Sequence, residues 1–235
     1  MTEFERKIIA TFDLDGPKMF YSTIIPPSRT AKELFQGELE LPPRGILVPS
    51  RLPQSGLQHY LLALGTSIFH QVRPVNKEAV LSVYRLVHIA HNTYKREVEC
   101  NVLTAREQDL WHVTEKKLQK EGLMDIFRNV HLNPGYTAAS WKENKIESMI
   151  NSNPNLAKTS YVHFDDDLRA GLSIARINDR FHGEWKVIAY VFRNLSNSEY
   201  LLKRGKPPEM RNLIFVDSFD EALHDIWQKI HEEKI

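Results

Sequence analysis

The run from Val75 to Glu99, VNKEAVLSVYRLVHIAHNTYKREVE, constrains this chain more than any other stretch. Val80, Val83, Tyr84, Val87, His91, Tyr94 and Val98 recur at three- and four-residue steps, so a helix would line them along one face. Leu81, Leu86, Ile89 and Ala90 widen that face until little is left for solvent, which predicts a helix enclosed by other elements. Pro74 bars helical continuation upstream, and the Asn76 side chain can accept an orphan backbone N–H of the first turn. Glu78 lies where the positive end of the helix dipole favours an acid, and Lys95 and Arg96 lie near the end that favours bases. A core helix over Val75–Glu99 is the predicted centre of the fold.

The remaining elements are read from period and punctuation. Arg6 to Phe12 and Lys18 to Ile25 predict two strands of a hairpin around the turn Asp13–Pro17. Thr104–Glu107, Ser140–Glu143 and Ser218–Glu221 have the form of capping boxes. They predict helices running to Glu121, to just before Asn153, and from Phe219 to Glu232, with a short helical stretch from Leu123 to Val130. Ser160–Phe164, Gly171–Ile177, Glu184–Phe192 and Leu213–Val216 are rich in β-branched and aromatic residues and read as strands, with Asn178–Gly183 as a hairpin connection. The predicted class is α+β: an N-terminal β-hairpin, a helical middle around a buried central helix, and a C-terminal antiparallel sheet closed by an amphipathic helix. At 235 residues and 42% hydrophobic content the chain can bury a sizeable core. A single domain over 1–235 is expected, with subdomains 1–155 and 156–235 as the alternative.

Thirty-one basic residues face thirty acidic ones, so no global field draws the chain to nucleic acid or to an anionic membrane. Cys100 is the single cysteine, which excludes an internal disulfide and fits a reducing compartment. The start MTEFERK lacks the apolar core of a signal peptide, and the most apolar run, Tyr60–Phe69, is too short to span a bilayer. The expected location is cytoplasmic or nuclear, not secreted, with no membrane span.

Any binding to nucleic acid would need a local patch. Arg193, Lys203, Arg204, Lys206 and Arg211 cluster in and around the loop from Leu195 to Asn212, with Tyr200 among them. Cations beside an aromatic ring suit phosphate contact plus base stacking. The first expectation is therefore a non-catalytic binding or assembly protein, with single-stranded nucleic acid, RNA in particular, as partner and no cofactor. A solvated loop is the competing account of these residues. Pro42, Pro43, Pro49 and Pro53 mark an extended segment, either a surface connector or a docking strip for a protein partner from Pro42 to Pro53. His88 and His91 lie three apart, with His59, His70 and Cys100 as further zinc-ligand candidates, against the alternative that these histidines simply pack beside the core.

An alternative function comes from Phe12-Asp13-Leu14-Asp15-Gly16, which follows a strand-like run. It resembles the nucleophile motif of haloacid-dehalogenase-like phosphatases, in which one Asp attacks phosphorus and the Asp two residues on acts as acid and base. The resemblance covers five residues, and the family's Thr after the Gly is here Pro17. It implies Asp13 as nucleophile, Asp15 as acid/base, Asp165 or Asp166 as metal-binding acids, and alternating strands and helices. The corresponding activity is a metal-dependent phosphohydrolase or nuclease. It requires these carboxylates to converge within reach of one ion.

Overall fold

A computed structural model describes residues 6–21, 41–50, 56–181, 187–194, 197–198 and 211–235. Its elements, in order, are β1 (Arg6–Phe12), α1 (Gly56–Val72), α2 (Lys77–Asn92), β2 (Arg96–Glu107), α3 (Trp111–Lys120), β3 (Phe127–Asn133), α4 (Ala138–Asn151), β4 (Thr159–Asp165), α5 (Leu168–Ala175), β5 (Val187–Phe192), β6 (Leu213–Val216) and α6 (Phe219–His231). The six strands form one sheet in the order β3-β2-β1-β4-β5-β6. Every pairing within it is parallel.

A parallel sheet needs crossover connections, and the crossover helices leave both of its faces covered. Alternate residues along each strand therefore enter two different cores. Ile8, Ala10, Phe12, Val162, Phe164, Ile188, Tyr190 and Phe192 pack on one face against Ala79, Val83 and Leu86 of α2 and Phe219, Leu223 and Ile226 of α6. On the other face Ile9, Leu103, Tyr161, Val187, Ala189 and Val191 pack against Ile146 and Ile150 of α4 and Leu168 and Leu172 of α5. The Phe12 and Phe164 rings stack across neighbouring strands at 4.7 Å.

This architecture overturns the expected α+β class. The C-terminal sheet is parallel, not antiparallel, and β1 pairs with β2 and β4 rather than with a hairpin partner. Gly16 to Met19 close a turn, Tyr21 makes only isolated bridges to Asp15 and Val75, and residues 22–25 lie outside the described residues. Gly171–Ile177 is not a strand: Gly171–Ala175 belongs to α5, and Arg176–Phe181 is a 3-10 turn. An apolar run buried on all sides carries no usable period, so strand and helix are hard to separate there.

The central helix is shorter than its pattern. Asn76 caps it as expected, its Oδ1 accepting from the Glu78 and Ala79 N–H groups at 3.1 and 3.3 Å. The helix ends at Asn92, Lys95 takes a left-handed φ of 52°, and Arg96 begins β2. Thr104 and Arg106, read as parts of a helix cap, are buried at the carboxyl end of that strand. The stretch predicted as helix after Leu123 is a 3-10 turn, Leu123–Asp125, followed by β3. α4 starts before Ser140, with Thr137 in the capping position. β1, β4, β6 and α6 fall where expected, and Ser218 Oγ caps α6 by accepting from Glu221 N at 3.1 Å. Among the described residues no helix is long and apolar enough to cross a membrane.

Candidate active site

In this strand order the chain adds strands to one side of β1 and then switches to the other. Such open sheets bind ligands in the crevice at the carboxyl ends of the strands flanking that switch. Here those strands are β1 and β4. Asp13 and Asp15 follow β1 directly, while Asp165 ends β4 and Asp166 comes next.

Asp13, Asp165 and Asp166 each offer a carboxylate oxygen within 4.8 Å of the others. Asp13 N donates to Phe164 O at 2.9 Å, which ties the end of β1 to the end of β4. Lys142 enters from the first turns of α4 and is only 1% exposed. Its Nζ donates to Asp165 Oδ2 at 2.7 Å and lies 3.3 Å from Asp13 Oδ2. A buried ammonium is tolerable only when paired, and two carboxylates pair this one. Asp165 also accepts from Asp167 N at 2.9 Å and from His163 Nε2 at 2.9 Å. His163 Nδ1 accepts from the Thr11 hydroxyl at 2.8 Å, which leaves the neutral ring carrying its proton on Nε2. The Asp166 carbonyl accepts from Asn194 and Asn197, joining the loops after β4 and β5. Gly16 allows the two acid-bearing loops to meet, since a Cβ there would stand 2.5 Å from the Asp166 carboxyl carbon.

The acids differ in charge state. Burial, partly offset by Lys142, pushes Asp13 up to about 7. Burial and the charges of Asp165 and Asp13 push Asp166 well above the ordinary carboxylate range. Burial works against ionisation of Asp165 too, but Lys142 and His163 hold it well below that range. Asp15 is set apart. Arg106 grips it as a fork, Nε to Oδ2 at 2.7 Å and Nη2 to Oδ1 at 2.9 Å, and Arg73 Nη1 reaches Oδ1 at 2.5 Å. Against the cost of burial, these guanidiniums bring Asp15 down to about 2.

Asp13 Oδ1 is buried and meets no hydrogen-bond donor among the described residues. With three crowded carboxylates, two of them resisting ionisation, that orphaned oxygen fits a hard divalent cation such as magnesium, which takes oxygen ligands. Asp13, Asp165 and Asp166 are the residues that would hold it.

The acids named by the five-residue resemblance thus converge. Lys142, His163, Arg73 and Arg106 were missed. Lys142 and Arg106 sat inside apparent capping boxes, and the one cue to His163 was a polar residue in an apolar strand two positions before Asp165. The expected nucleic-acid residues do not assemble into a described site. Arg193 is ion-paired with Asp217 at 2.5 Å, Arg211 is exposed in the turn before β6, and Tyr200, Lys203, Arg204 and Lys206 lie outside the described residues. The expected protein-docking segment is described only to Ser50, where Val48 O accepts from Thr137 N and Ser50 N donates to Gly135 O, both at 2.8 Å. His88 and His91 are exposed on α2, and burial pushes the Cys100 thiol up to about 12.

The topology and the acid cluster define a class: a Rossmann-like parallel sheet with a carboxylate cluster at the carboxyl ends of β1 and β4. No family model and no curated protein matches the chain. Solved structures do. One is YfnB from Bacillus subtilis, named as a HAD-hydrolase and solved bound to magnesium. It aligns over 94% of this chain and 99% of its own, with a TM-score of 0.51 and 10% identity. Another is a protein from Burkholderia xenovorans LB400, named as a haloacid dehalogenase-like hydrolase. It aligns over 95% of this chain and 98% of its own, with a TM-score of 0.53 and 14% identity. At such identities the likeness is one of fold. Together with the acid cluster it overturns the non-catalytic, RNA-binding expectation and supports the hydrolase alternative.

Proposed function

We propose that this protein is a divalent-metal-dependent phosphohydrolase acting on phosphate monoesters through a covalent intermediate on Asp13. The observation that carries the reading is the convergence of Asp13, Asp165 and Asp166 at the switch point of the sheet, with the Lys142 ammonium between two of them.

The Asp13 carboxylate attacks phosphorus, and the bond from phosphorus to the leaving oxygen breaks. Asp15, ionised while Arg73 and Arg106 grip it, takes up a proton from solvent as those guanidiniums release it and gives that proton to the leaving oxygen. Water then attacks the aspartyl phosphate with Asp15 taking its proton, so inorganic phosphate leaves and the Asp13 carboxylate is restored. A bound dication supplies positive charge that offsets the phosphate's negative charge and favours the ionised form of Asp13. Lys142 adds a fixed cation beside the attacking group and holds Asp165 ionised. His163 and the Asp167 N–H keep Asp165 in place, a hydrogen-bonded support that fixes a ligand's orientation.

The test is hydrolysis of p-nitrophenyl phosphate with and without magnesium. Magnesium-dependent turnover is expected, with Asp13→Asn reducing kcat by at least about 10³-fold, as loss of a covalent nucleophile does. Turnover that survives this substitution, or that ignores chelation, would sink the proposal.

A further inference from the structure

Beside the acid cluster lies a second, basic one that the reaction above does not use. Arg73 follows the carboxyl end of α1, Arg106 lies at the carboxyl end of β2, and Lys117 projects from α3. All three are buried. Both guanidiniums converge on the Asp15 carboxylate. Arg106 also donates from Nη1 to Thr114 Oγ1 at 3.1 Å and lies over the Tyr21 ring. Lys117 donates to the carbonyls of Gln71, at 3.0 Å, and Arg73, and so fixes the end of α1 from which Arg73 extends. It is a positioning residue. Neutral His70, 3.7 Å from Asp15, closes the group.

Two features of this arrangement concern a ligand. The side chains of Arg73 and Arg106 are 5% and 2% exposed, whereas that of Asp15 is 21% exposed. The carboxylate therefore fills the mouth of the basic pocket. A planar guanidinium fork fits an incoming carboxylate or phosphate as well as it fits Asp15; a carboxylate leaves the buried charge unchanged, and the added charge of a phosphate meets two guanidiniums rather than one. Asp15 stands two residues past Asp13 on the loop after β1, so the basic cluster adjoins the acid one.

We infer that Arg73 and Arg106 form a subsite for a second anionic group, carboxylate or phosphate, on the leaving-group part of the substrate, and that Asp15 fills it in the substrate-free protein. The inference rests on the phosphohydrolase reading. It deepens that reading by naming the substrate class: small phosphate monoesters with a second anion a few bonds from the ester oxygen. Such a substrate takes the arginine donors for itself and frees Asp15 to face the leaving oxygen.

The test uses matched pairs with magnesium present: ethyl phosphate against phosphoglycolate for the carboxylate arm, and hydroxyethyl phosphate against ethylene glycol bisphosphate for the phosphate arm. The wild type should favour the second member of at least one pair by on the order of 10²-fold in kcat/KM, the scale of a buried charge pair. The favoured arm identifies the anion. Arg73→Met should reduce that preference to within about threefold while slowing the first members far less, and Arg73→Lys should restore part of it. Equal use of both members by the wild type would overturn the subsite. So would an Arg73→Met variant that slows both members alike, since that marks a structural role. If no phosphate ester is hydrolysed, the phosphohydrolase reading fails separately, and calorimetry with malonate in the absence of metal decides the subsite. Malonate binding lost in Arg73→Met upholds it, and no binding by the wild type ends it.

Discussion

Asp13 and Asp15 are two residues apart and live in opposite electrostatic surroundings. Asp15 has two guanidiniums and stays ionised, while Asp13 shares one ammonium with Asp165 in a crowded, buried cluster. The folded value of Asp13, about 7, lies above the roughly 3.9 of an unfolded Asp, so the folded state holds an extra proton between those limits. Its contribution to stability therefore falls as pH rises through that window. Asp13→Asn removes the titration. Thermal melts with a chelator present should show the variant gaining on the wild type from about pH 4 to pH 7. A variant that melts in parallel with the wild type across that range would contradict the assigned surroundings. The acids themselves were legible in the five-residue run after β1 and in the Asp165–Asp166 pair. Their partners were not, because Lys142, His163, Arg73 and Arg106 carry no local mark of the carboxylate each meets across the fold.

Elements with local start signals were legible and buried ones were not. α6 has a Ser cap, acids in its first turn and one apolar face, all visible along the chain. Ser218→Ala should cost about 1 kcal/mol, read in urea unfolding as a lower midpoint at unchanged slope. α5 is the contrary case. Every residue from Leu168 to Ala175 except Arg169 is buried, so neither a period of two nor of 3.6 stands out. What makes it a helix is its fit between α4 and the sheet, and Gly171 shows how close that fit is. A Cβ there would lie 2.2 Å from Val191 Cγ2 of β5. Gly171→Ala should destabilise by roughly 1–3 kcal/mol through overpacking, a loss of several degrees in Tm. An unchanged Tm would mean that α5 is free to move off β5. The Val75–Glu99 run misled for a related reason: Tyr94 and Val98 pack against the same core as Val80 and Val87, but from a turn and a strand.

At the scale of the molecule, a sheet that brings three acids together at its switch point stores repulsion that a cation would relieve. Magnesium should raise Tm, with about 2.7 kcal/mol of added stability at a hundred times its Kd, and Asp166→Asn should remove most of that gain. Equal magnesium stabilisation of the wild type and the variant would place the ion elsewhere. The chain alone determined where most strands and the last helix lie, that Asn76 and Ser218 begin helices, and that Asp13 and Asp15 stand at the end of a strand, because each of these follows from neighbours a few residues away. The tertiary structure decided that the strands run parallel, that Asp165 lies beside Asp13 rather than in a distant sheet, and that Arg73 and Arg106 meet on Asp15. Strand pairing joins residues far apart in the chain, and an apolar strand buried on both faces records that it is covered without recording by what.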